Sequence, residues 1–80
     1  MNLTVLLFGA LRDELGESLT VDAPGGATVD ALFDLLAARH PALRPWKGRA
    51  GIAVNEEWAD GARVVEAGDV VALLPPVAGG

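Results

Sequence analysis

Cysteine is absent from this 80-residue chain, which excludes disulfides, thiolate metal sites and a Cys nucleophile and is compatible with a reducing compartment. Basic residues are scarce as well. Six Lys and Arg stand against eleven Asp and Glu, a formal net charge of −5, so few groups are available to displace counterions from phosphates, and a nucleic-acid partner is not expected. Histidine occurs once, at His40, and aromatics make up only 5% of the residues. The core must therefore be built mainly from Val, Leu, Ala and Ile. No apolar run approaches the roughly 20 residues of a membrane span, and Met1-Asn2-Leu3-Thr4 lacks the basic region of a signal peptide. The chain is expected to be cytoplasmic and to touch no membrane.

At this length there is room for one small domain that buries about 60% of its unfolded surface, which leaves little scope for a deep catalytic cleft. Leu3 to Phe8 is apolar at nearly every position and reads as a strand covered on both faces. Gly9 and Ala10 break it, and Leu11 to Leu15, followed by Gly16, reads as a short helix with Leu11 and Leu15 on its buried side. Ser18-Leu19-Thr20-Val21 alternates polar with apolar, as a half-buried edge strand does. After the loop Asp22 to Gly26, Thr28 is placed to cap a helix whose apolar residues Val29, Leu32, Phe33 and Leu36 follow i, i+3, i+4, i+7. Asp30 near its start and Arg39 and His40 near its end suit the dipole, and Pro41 stops it. From Ala42 to Gly51 the pattern is lost, and a loop is expected there. Gly51-Ile52-Ala53-Val54 reads as a strand, Asn55-Glu56 as its turn, Glu57-Trp58 as a short return, and Val70 to Leu74 as a last strand as apolar as the first.

These elements predict an α+β chain with a β-grasp topology, in which the first and last strands lie adjacent and parallel in a mixed sheet and one main helix crosses a face. A ferredoxin-like fold would need a second long crossover helix, and Leu43 to Gly68 carries no sustained helical period. The expected boundaries are a domain over residues 1–75 and an extended tail over residues 76–80.

The tail is the most informative segment. Val70-Val71-Ala72-Leu73-Leu74 leads through Pro75-Pro76-Val77-Ala78 to Gly79-Gly80. With ten glycines in the chain, a terminal Gly-Gly pair decides nothing alone; the Pro-Pro spacer and the apolar run before it raise its weight. Prolines favour an extended backbone and donate no hydrogen bond, so they end a sheet ladder and limit the entropy lost when a tail is threaded into a partner. Glycine has no Cβ, so Gly79 and Gly80 pass through a narrow channel and leave the terminal carbonyl open to attack. Five residues from Pro76 to Gly80 extend at most about 17 Å. Phe8, Leu73, Leu74 and Val77 are the apolar groups nearest the root of the tail and mark a partner-binding patch together with Pro75 and Pro76, although Phe8 and Leu73 also read as ordinary core.

Three segments carry a resemblance along the whole chain. They are Val5-Leu6-Leu7-Phe8-Gly9-Ala10-Leu11-Arg12-Asp13-Glu14-Leu15-Gly16, then Ala53-Val54-Asn55-Glu56-Glu57, and then Gly68 to Gly80. The sequence resembles the ubiquitin-like sulfur carriers and, among them, the small subunit of molybdopterin synthase, the MoaD family. Leu74 departs from it where an aromatic residue is frequent, and Ala78 where Ser or Thr is common. The resemblance implies a carrier that has no turnover alone and binds no cofactor itself. An adenylating enzyme similar to the one that activates ubiquitin would use ATP on the Gly80 carboxylate, and a sulfur donor would leave a thiocarboxylate there. The partner implied is the large synthase subunit, in a heterotetramer of two small and two large subunits that makes molybdopterin for the molybdenum cofactor. Two other classes stay open: a carrier serving thiamine or tRNA thiolation or protein conjugation, and a plain interaction module whose Gly-Gly end is incidental.

Other residues carry weaker signals. His40 at a helix end reads as a cap or as a group facing solvent. Asp13-Glu14 and Glu56-Glu57 are adjacent pairs whose side chains diverge, so they make poor acid/base pairs. Arg12 is placed to meet an acidic group on a partner, Gly25-Gly26 lacks the spacing and lysine of a phosphate loop, and Trp46 and Trp58 read equally as interface anchors or partly buried structural groups.

Overall fold

A computed structural model of the chain describes residues 1–76. Strand β1 (Asn2–Leu7) runs into helix α1 (Gly9–Leu15), and β2 (Ser18–Asp22) returns to the long helix α2 (Val29–Arg39). A 3-10 helix (Pro41–Trp46) then leads into β3 (Gly51–Val54), β4 (Glu57–Trp58) and β5 (Val70–Leu74). The strands form one mixed sheet in the order β2-β1-β5-β3-β4. Strands β1 and β5 are parallel, with Val5 opposite Val71 and Leu7 opposite Leu73, and every other neighbouring pair is antiparallel. This is the expected β-grasp topology, with β2 at one edge and α2 packed across one face.

The core lies between that face and the helices. Leu3, Val5 and Leu7 of β1, Val54 of β3 and Val71 and Leu73 of β5 point into it, where Leu11, Leu32, Phe33, Leu36, Leu43 and Val65 meet them. No polar or charged side chain is buried among the described residues. Three expectations are corrected. The first and last strands are covered on one face only: in β1 the buried residues alternate with Asn2, Thr4 and Leu6, and in β5 Val70 is 46% exposed. The apolar character of Leu6, Val70 and Ala72 therefore sits on a face that the domain leaves open. The stretch after Pro41 is not a loop throughout, because Pro41–Trp46 winds as a 3-10 helix and buries Leu43 completely. The first strand also ends one residue early, at Leu7. Phe8 becomes the N-cap of α1, and Gly9 and Ala10, expected to separate the two elements, form the first turn of that helix.

Helix α2 starts where the Thr28 hydroxyl accepts from the Ala31 N–H at 3.2 Å. Its two preceding amides find distant partners instead: the Val29 N–H donates to the Arg63 carbonyl at 2.9 Å, and the Asp30 N–H to the Gly61 carbonyl at 3.1 Å. The otherwise irregular segment between β4 and β5 is held in this way, with Val64 bridged to Thr28 and Val65 fully buried beneath it. At the far end, the His40 N–H closes the helix on the Leu36 carbonyl at 2.8 Å.

Burial separates two leucines that look alike in the sequence. Leu43→Ala is expected to destabilise the domain by about 2–5 kcal/mol through the cavity it leaves. Leu35→Ala, on the exposed side of α2, should change stability by less than about 1 kcal/mol. Urea unfolding of the two variants measures the difference.

Candidate functional site

The root of the tail is built at the corner between β1 and α1. Because β5 runs parallel to β1, with Leu7 opposite Leu73, the chain leaves the sheet beside Phe8 and Gly9. Gly9 has φ +56, and a Cβ placed there would lie 2.8 Å from Cγ of Pro75. Glycine is required at this corner twice over, by the left-handed backbone and by the proline ring packed against it. Pro75 is thereby seated on the domain, and Pro76 beyond it is exposed. Leu74 is half-buried, with Gly51 of β3 as its sheet neighbour on the other side. The Trp58 ring lies over Gly51, where a Cβ would come within 2.6 Å of it.

Phe8 walls three grooves, two of which bear on the tail root and the open face of the sheet. The first, about 630 Å³, is lined by Phe8, Gly9, Ala10, Trp46, Arg49, Leu74, Pro75 and Pro76. Arg49 stands over the Trp46 ring with its guanidinium carbon 5.4 Å from the centroid, within cation–π range. The second, about 410 Å³, lies on the open face of the sheet between Leu6, Phe8, Asn55, Glu56, Val70 and Ala72. Phe8 is 41% exposed, which is costly for a phenyl ring in water and consistent with a surface another protein covers.

Of the residues proposed for the partner patch, the structure brings Phe8, Leu74, Pro75 and Pro76 together. Leu73 points into the core at 1% exposure. Val77, Gly79 and Gly80 lie outside the described residues. Trp46 is partly buried against the core, whereas Trp58 is 72% exposed. Arg12 bonds Glu17 at 3.0 Å, and His40 ends α2 and lines a groove with Ser18, Thr20 and Arg39. Arg49 carries no sequence signal of its own, and Asn55 reads from the sequence only as a turn residue; each belongs to the site because non-neighbouring elements converge there.

Asn55 ties the turn after β3 to the start of β5. Its N–H donates to the Val70 carbonyl at 2.8 Å, its side-chain oxygen accepts from the Val70 N–H at 2.9 Å, and its side-chain amide donates to Asp69 at 2.9 Å. The second Asp69 oxygen accepts from the Glu66 N–H at 2.8 Å. That backbone bond, then the Asn55 amide, holds the Asp69 carboxyl below its ordinary value of 3.8.

Two outcomes test this geometry. Gly9→Ala should destabilise by at least about 1–2 kcal/mol from its positive φ alone, with the Pro75 clash in addition, and thermal melting reads the loss. Asp69 is depressed in the folded state, so its contribution is present above the unfolded value and is lost as pH falls through the folded one. The Tm advantage of the wild type over Asp69→Asn should therefore hold down to the ordinary carboxylate range and shrink as the pH falls below it. A difference that stays constant with pH would show that the Asp69 carboxylate does not hold the turn.

The ThiS family model matches residues 5–80. The molybdopterin synthase sulfur carrier subunit of Mycobacterium tuberculosis is 38% identical over 82 residues, spanning 100% of this chain and 99% of that protein. The crystal structure of small archaeal modifier protein 1 from Haloferax volcanii superimposes with a TM-score of 0.88 at 34% identity, covering 100% of both chains. A chain from the complex of subunits 1 and 2 of the molybdopterin-converting factor of Helicobacter pylori gives a TM-score of 0.73 at 30% identity, again over 100% of both. With its β-grasp sheet, its proline seated on a corner glycine and a match that runs to its last residue, the chain belongs to the ThiS family.

Proposed function

We propose that this chain is the sulfur carrier subunit of a molybdopterin synthase, acting through a thiocarboxylate on Gly80. The observation that carries the reading is full-length similarity to proteins bearing that name, together with Pro75 seated on Gly9 at the base of the Gly-Gly tail. An adenylating enzyme forms the acyl-adenylate: a Gly80 carboxylate oxygen attacks the α-phosphorus of ATP and pyrophosphate leaves. A sulfur nucleophile then attacks the acyl carbon and AMP leaves, which puts sulfur where the second oxygen stood. The domain offers a rigid base, a short tail and an adhesive rim of Phe8, Leu74 and Pro75, while both partners supply the reaction chemistry. The large synthase subunit receives the charged tail, in an assembly of two small and two large subunits in the cytoplasm. No helix among the described residues is long and apolar enough to cross a membrane.

The likeness to small archaeal modifier protein 1 favours a second reading, in which the same activated carboxylate is passed to an amine on another protein. Intact-mass measurement of the protein from its native cells separates the two. A carrier gains the mass difference between sulfur and oxygen; a modifier appears in higher-mass conjugates that persist under denaturing conditions.

Deleting Gly80 tests the chemistry common to both. It shifts the terminal carboxylate back by about 3.3–3.6 Å, more than a near-attack geometry tolerates, so adenylate formation with the activating enzyme and ATP should be lost. Stability should change by no more than about 0.5 kcal/mol. Equal adenylation of both chains would refute the proposal.

A further inference from the structure

The turn between β3 and β4 holds a side chain that the backbone does not favour. Asn55 and Glu56 have φ of 52° and 69°, the pairing of a type I′ turn, whose second central residue is ordinarily glycine. Asn55 is accounted for by its bonds to Val70 and Asp69. Glu56 is not: its side chain is exposed and makes no hydrogen bond or ion pair among the described residues, whereas Glu57 lies 4.0 Å from Arg63 and Asp69 is held by Asn55 and the Glu66 N–H. Glu56 lines the 410 Å³ groove together with the apolar residues Leu6, Phe8, Val70 and Ala72. An unpaired anion beside unpartnered apolar residues, on a chain of net charge −5, is complementary to an apolar side chain flanked by a cation. Phe8 makes this groove continuous with the tail root.

We propose that Glu56 is a partner-selecting residue: it pairs with a Lys or Arg of the large synthase subunit while an apolar side chain beside that cation fills the groove against Phe8. This rests on the carrier reading and adds to it the residue that discriminates between partners. The left-handed backbone at Glu56 is tolerated because the carboxylate acts in the complex, not in the folding of the free domain.

The test compares the wild type with Glu56→Gln, Glu56→Gly and Glu56→Lys, using thermal melting of the free chain and titration against the large subunit of the same organism at several salt concentrations. Glu56→Gln should weaken the complex by up to about fivefold at low salt and flatten its salt dependence, and Glu56→Lys should weaken it by more than about tenfold. Glu56→Gly should bind as poorly as Glu56→Gln and yet melt at a higher temperature than the wild type, opposite signs that a merely structural residue would not give. Wild-type affinity and salt slope in Glu56→Gln would overturn the inference while leaving the carrier reading intact. Failure of the wild type to form any complex would overturn both. A homodimer of the wild type that is lost in Glu56→Gln would assign the groove to a second copy of the chain and overturn the choice of partner.

Discussion

The parallel pairing of β1 with β5 is the constraint on which the rest of the molecule depends. It joins residues near the two ends of the sequence, Thr4 with Val70 through Leu7 with Leu73, and so must close nearly the whole chain into one loop. That closure is entropically unfavourable and is offset by burying Val5, Leu7, Val71 and Leu73 against α2. Parallel direction also means that both strands finish at the same end of the sheet. The corner after β1 and the exit from β5 are therefore neighbours by topology, and Gly9 meets Pro75 without any loop having to reach across the domain.

The same strands divide their labour by face. One face carries the residues that hold the fold, and the other carries Leu6, Val70, Ala72 and, one residue past the strand, Phe8. Placing recognition on the same backbone as the core gives the exposed side chains a rigid support, because strand residues next to a close-packed interior cannot drift independently of it. Sites on regular elements hold geometry better than sites on loops, and Glu56, though on a turn, is locked to β5 by the bonds of its neighbour Asn55.

Much of this is legible in the sequence, for reasons that differ from element to element. The spacing of Val29, Leu32, Phe33 and Leu36 identifies α2 because a single face is buried and the 3.6-residue period is clean. Val70 to Leu74 is recognisable as a central strand, and the Pro-Pro that follows it as an exit, because proline cannot continue a ladder. Leu43 escapes notice because a 3-10 helix repeats every three residues and this one contains Pro45, so neither helical nor strand periodicity registers. Leu6 and Ala72 mislead for another reason. Apolar composition reports that a residue is to be covered, without saying whether by its own chain or by another. The Asn55-Glu56 turn is legible as a turn, but that it and Arg49 join the site follows from tertiary proximity, which no linear pattern announces.

The way α2 is capped has a kinetic consequence. Of its first three amides, only that of Ala31 has a local acceptor; those of Val29 and Asp30 depend on carbonyls more than thirty positions later in the chain. An isolated helix of this length is marginal in water, and here its first turn remains incomplete until the segment carrying Gly61 and Arg63 has docked. Helix and segment therefore form one cooperative unit. Slow hydrogen exchange at Val29 and Asp30 would report the docking of that distant segment, not the intrinsic helicity of the sequence around them.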